Sequence, residues 1–191
     1  MTGTRIRTLL VATGVAALLA ACGTPHAGAA AVIGNRRISV SDLQSATQDA
    51  QAYVDAQTNA QGGQRTAVSQ RQVLYLLAAL PYIEQLATQA GVGVSEDDAR
   101  SELRAWNVPN PSHAGVQVVQ ANAALAQLQQ QGQSKAAEVN SEITDALKKD
   151  HLEVNPRYGT FNGSVGRIIP GQPNWLPTPS SSAIPAATPS Q

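Results

Sequence analysis

Apolar side chains recur every three to four residues along most of the chain, and on alternate residues only in short stretches near its two ends. Ala31-Val-Ile-Gly34-Asn35-Arg36-Arg37-Ile38-Ser39-Val40 reads as two short strands. Gly34-Asn35 is the turn dipeptide between them, since a two-residue hairpin loop demands a positive φ. Ser41 then stands as a helix cap with Gln44 three residues on, as in a capping box. Leu43, Ala46, Ala50 and Tyr53/Val54 share one face of the helix that follows, which runs out near Thr58. After the polar loop Asn59–Gln64, the pattern predicts a longer helix from about Thr66 to Ala90. Val73, Leu76/Leu77, Leu80, Ile83 and Ala87 form its stripe, the expected centre of the core. Pro81 lies inside it, removing one backbone donor and crowding the preceding turn, so a kink is expected near Leu77–Leu80. Gly91 suits the left-handed cap that ends it.

Ser95-Glu96-Asp97-Asp98 opens a third helix: a hydroxyl cap and three acids at the positive end of the helix dipole. Ala99, Leu103 and Trp106 share its face, and Asn107 to Pro111 breaks it. A fourth helix is predicted from about Gly115 to Gln131 with Val118, Asn122, Leu125 and Leu128 inward. A fifth, from Ser134 to about His151, turns Ala136, Val139, Ile143 and Leu147 inward, with Lys148, Lys149 and His151 at its carbonyl end. Leu152–Phe161 reads as an extended segment turning at Pro156, and Val165–Ile169 as a weaker strand. Trp175-Leu176 is the last apolar anchor, and residues 177–191 are too poor in large apolar side chains to fold.

The first residues follow another logic. Met1 to Arg7 carries two positive charges and no acid, and the apolar run Thr8–Ala21 is shorter than the roughly 20 residues a membrane span needs. That is the form of a signal peptide over residues 1–21. It ends in Leu19-Ala20-Ala21-Cys22-Gly23, which resembles the bacterial lipobox. The small residues admit a peptidase, and a thiol accepts a thioether-linked diacylglyceryl group. Cys22 is the only cysteine of the chain, and a lone thiol in an exported protein calls for such an explanation. The resemblance implies a bacterial protein lipidated at Cys22 and held on the outer face of the cell membrane by residues 22–30 as a tether.

Composition narrows the classes. Loss of residues 1–21 removes Arg5 and Arg7 and leaves 11 basic against 13 acidic residues, with no basic stripe, so nucleic acid is not an expected partner. Aromatics are 4%, so the core leans on alanine, which buries little area per side chain. The Glu96–Asp98 run points around a helix rather than at one centre and reads as capping. His26, His113 and His151 lie far apart, without zinc-site spacing. Gly159 to Gly166 lacks the Gly-Lys-Ser/Thr of a phosphate loop, and no Gly-x-Ser-x-Gly elbow occurs. No catalytic residue, metal, cofactor or small-molecule substrate is nominated.

The order of elements carries a resemblance. Ala31–Leu43, the apolar helix Val73–Leu86 ending in Ala90-Gly91-Val-Gly-Val94-Ser95, the acidic Glu96–Asp98 start, and Leu152–Phe161 together resemble the N-terminal domain of SurA-type chaperones and the related PrsA foldases. The closing segment looks like that of SurA-like lipoproteins of actinobacteria. The resemblance spans residues 31–176 and implies a mainly α fold of about five helices. In it, a small β element joins the N- and C-terminal segments, Ala31–Ile38 pairing with Leu152–Phe161. The chain departs from the family in leaving no room for a parvulin domain, so isomerase activity is not carried over. The resemblance then implies a non-catalytic, membrane-tethered module binding unfolded exported proteins. An adaptor lipoprotein for a folded envelope partner is the alternative.

Overall fold

The computed structural model describes residues 27–171. The signal-peptide segment, Cys22 with Leu19, Ala20 and Ala21, His26, Trp175-Leu176 and the tail from Pro177 lie outside the described residues. Strand β1 (Ala29–Ile33) and strand β2 (Arg36–Ser39) form the expected hairpin, Ile33 pairing with Arg36 across Gly34-Asn35. Gly34 takes a φ of 53°, the positive value that a II′ turn needs at its first central position. Strand β1 starts two residues before the sequence pattern suggested. Ala29 and Ala30, assigned above to the tether, are fully buried, because their small side chains let the strand sit directly on the helices.

Helix α1 (Val40–Ala60) begins one residue before the expected cap, because β2 runs straight into it. Its cap is Ser39, not Ser41, and the capping box closes on Asp42, not Gln44. The Asp42 amide donates to Ser39 Oγ at 3.0 Å, and the Ser39 hydroxyl donates to Asp42 Oδ2 at 2.6 Å. Helix α2 (Gln70–Gln89), by contrast, starts later than the pattern implies. Residues 66–69 are held outside it by Gln51 of α1, which donates to Thr66 O and accepts from the Val68 amide.

Helices α3 (Glu96–Ala105), α4 (His113–Gln129) and α5 (Gln133–Lys149) complete five helices among the described residues. Ser95 and Asp98 close the capping box that the acidic run predicted. α4 differs from its expected single stripe. It buries Ala114, Gly115, Val116, Val118, Val119, Gln120, Ala121, Ala124 and Leu128, because neighbours lie on several of its sides. Asn122, expected inward, is exposed, and Leu125 is half-buried. Helix α4 packs closely enough on α1 that a Cβ at Gly115 would come within 2.3 Å of Asp49 Oδ2. Asp49 in turn accepts from the Ser112 amide at 2.8 Å and its hydroxyl at 2.6 Å, a carboxylate at the start of α4.

The ends of the described chain meet in the sheet, as expected. Strand β3 (Glu153–Val154) pairs antiparallel with β1, giving the order β2-β1-β3. Asn155 extends the join by donating from its amide to Ala30 O at 2.9 Å and from Nδ2 to Ala29 O at 3.0 Å. The Leu152–Phe161 segment is then broken at Pro156, and its second half becomes β4 (Thr160–Asn162), paired with β5 (Arg167–Ile169) in a separate hairpin. The fold is thus mainly helical with small antiparallel sheets.

The main core runs from β1 through α1, α2 and α4 to α5, with Leu43, Leu74, Ile83, Leu128, Ile143 and Leu147 fully buried. Each such side chain contributes about 1.5–3 kcal/mol of apolar burial. A smaller cluster under α3 joins Ala99, Leu103, Val108, Val116 and Val119. Helix α2 continues through Pro81. The missing donor at Pro81 frees the Leu77 carbonyl, and Arg36 of the hairpin supplies it. Its guanidinium donates to Leu77 O at 3.0 Å and to Ala78 O at 2.6 Å. Burial lowers the Arg36 pKa, Tyr82 and Glu84 oppose that, and the group stays a cation.

An apolar cleft between three helices

The middle of α1, the first turns of α2 and the middle of α4 diverge around a cleft of about 290 Å³. Ala50 and Val54 come from α1, Val73 and Leu76 from α2, Val118 and Val119 from α4. Residues 66–69 form its rim. They stay extended because both the amide and the carbonyl of Gln51 are engaged with this loop, so Ala67 and Val68 lie over the opening instead of joining α2. None of the lining residues carries a charge. The floor is buried, whereas Tyr53, Val54 and Val68 are half-buried, and Ala67, Gln72 and Asn122 are exposed at the mouth.

One wall is fixed by a polar bridge. The Tyr53 hydroxyl donates to Glu102 Oε1 of α3 at 3.0 Å, and Trp106 Nε1 donates to the same oxygen at 2.9 Å. Burial first, and then the bond to Glu102, push the Tyr53 phenol up to about 12. The phenol therefore enters the cleft wall neutral at physiological pH. Tyr82, on the far side of α2, is likewise pushed up to about 12 by burial and by its 2.5 Å bond to Asp150 Oδ2.

Glu96 pairs with Arg100 and lies 3.2 Å from His113 Nδ1 on an exposed surface, and Asp98 caps α3. His151 adopts φ 51° at the end of α5, where its amide bonds to Lys148 O and the next amide to Leu147 O. Among the described residues, no three of His, Cys, Asp and Glu converge on one point, and no helix is long and apolar enough to cross a membrane. Cys22 and its lipobox lie outside the described residues.

Periodicity does not reveal the cleft, because Val73, Leu76 and Val118 are equally good core residues. Asn122, which the helical stripe places inward, marks the mouth instead. One signal was available: Ser69, four residues before Val73, is a natural cap, and placing α2 there leaves Thr66 to Val68 as loop. Comparisons with family models, with curated proteins and with solved structures returned no match.

Proposed function

We propose that this chain is a non-catalytic chaperone-like lipoprotein, tethered through Cys22 to the outer face of a bacterial cell membrane, that binds segments of unfolded exported proteins. The observation that carries the proposal is the uncharged, apolar cleft between α1, α2 and α4, roofed by a short loop. Its volume of about 290 Å³ lies at the lower edge of small-molecule sites, which run roughly 300–1,000 Å³, and suits one or two apolar side chains of an extended segment. Weak contacts of that size gain from tethering, because a short linker raises local concentration to about the millimolar range. The likeness of residues 31–176 to SurA-type N-terminal domains supports the same function.

The test uses the mature protein with an aggregation-prone, reduced secretory protein. The mature protein slows light scattering at near-stoichiometric ratios, and Asn122→Trp, which fills the mouth from an exposed position, abolishes the effect while leaving the thermal melt unchanged. Equal protection by the variant removes the cleft from the account.

A second reading is an adaptor that docks on a folded envelope protein. It is favoured by the scarcity of exposed apolar surface, since Val165, at 50% exposure, is the one large apolar side chain exposed among the described residues. A pulldown separates the two: one stoichiometric partner supports the adaptor, and a heterogeneous set of exported chains supports the chaperone.

A further inference from the structure

We propose that the cleft selects apolar segments flanked by acidic residues, with Arg71 and Arg167 as the selecting groups; this rests on the client-binding function above. A second cavity of about 310 Å³ opens beside the cleft. It is lined by Ser69, Arg71, Gln72, Tyr75, Arg167 and Ile168, and Ser69 and Gln72 line both cavities. Arg71 comes from the first turn of α2 and Arg167 from β5, so two separate elements bring the guanidinium groups to one opening.

Both arginines are exposed, and neither side chain has an ion pair or hydrogen bond among the described residues. On α5, which packs against α2 and the β4–β5 hairpin, Glu138 pairs with Lys135 at 3.0 Å and Asp145 with Lys148 at 3.1 Å, and Glu142 is exposed. Residues 56–83 contain Arg65 and Arg71 but no acid, and residues 154–171 contain Arg157 and Arg167 but no acid. Asp55, where α1 approaches this loop, is already paired with Arg65 at 3.2 Å. Helix α4 contributes no acid to the opposite wall.

A segment entering here meets uncharged walls and then positive charge of a single sign. An extended chain advances about 3.3 Å per residue, so a carboxylate one to three residues from the buried side chain falls within reach of the guanidinium groups. Aspartate or glutamate there finds a partner whose planar fork matches a carboxylate, whereas lysine or arginine is repelled. The cleft supplies affinity that is indifferent to sequence beyond apolarity, and the arginine pair supplies discrimination. An extracytoplasmic binder with this arrangement prefers acidic-flanked segments and leaves basic ones.

The experiment measures fluorescence anisotropy of labelled peptides sharing one Leu/Val core, flanked by either Asp/Glu or Lys, against the mature protein. The acidic-flanked peptide binds about three- to tenfold tighter at low salt, as expected for one or two exposed charge pairs. The gap closes in high salt. The Arg71→Glu/Arg167→Glu variant reverses the preference, and Asn122→Trp loses both peptides. Equal binding of the two peptides to the unaltered protein, still lost in Asn122→Trp, overturns the charge selection and leaves the client function standing. Absence of binding by either peptide overturns both. Arginine-dependent binding to phosphatidylglycerol vesicles without discrimination between peptides assigns the arginines to a membrane surface and overturns the selection.

Discussion

Two tyrosines link the packing of single residues to a measurable pH dependence. Tyr53 and Tyr82 hold pKa values of about 12 in the folded chain against an ordinary value of 10.0, through burial and bonds to Glu102 and Asp150. Well below pH 10 both phenols are protonated in folded and unfolded chains alike, and their contribution is intact. Between about pH 10 and 12 the unfolded chain releases protons that the folded chain retains, so stability falls as pH rises. Urea midpoints across this interval will decline, and Tyr53→Phe/Tyr82→Phe will flatten the decline. An unchanged slope in the double variant would mean that other groups govern alkaline unfolding.

At the scale of elements, α2 depends on a side chain from another part of the fold. Pro81 leaves the Leu77 carbonyl without its helical donor, and Arg36 of β2 fills the gap. Arg36→Ala will destabilise the protein by about 2–3 kcal/mol, because carbonyls beside buried side chains lose a charged donor. In a Pro81→Ala background the restored amide meets Leu77 O again, so the same substitution will cost visibly less. Chemical denaturation of the four proteins measures that coupling, and strict additivity would show that the two residues act independently.

Such compensation explains how far the sequence was legible. Helix count, the hairpin at Gly34-Asn35, the capping of α3 by Ser95 and the pairing of the two chain ends are local or periodic signals, and the structure bears them out. The start of α2, the true cap of α1 and the burial of α4 on several sides depend on tertiary partners: Gln51, the direct run of β2 into a helix, and neighbours on opposite faces. The cleft was illegible for the same reason. A residue lining a gap and a residue filling a core have one periodicity, and only packing separates them.

For the whole molecule, the proposed function rests on a proposed address. Cys22 lies five residues before Ala27, where the described chain begins, a span of at most about 18 Å when extended. Under the proposed lipidation at Cys22, that span would keep the domain close to the bilayer and to chains emerging through it. Cys22→Ala will shift the protein from the membrane to the soluble fraction with an unchanged thermal melt; retention in the membrane fraction would sink the lipid anchor.

The central claim is that unfolded exported chains enter the cleft between α1, α2 and α4. A photoreactive amino acid placed at Ala67, on the rim, addresses it directly, with a control at exposed Gln133 of α5. With an unfolded secretory substrate, the account predicts crosslinks from position 67 that disappear when the substrate is folded, and none from position 133. Equal crosslinking from both positions, or none from 67 with the unfolded substrate, would contradict it.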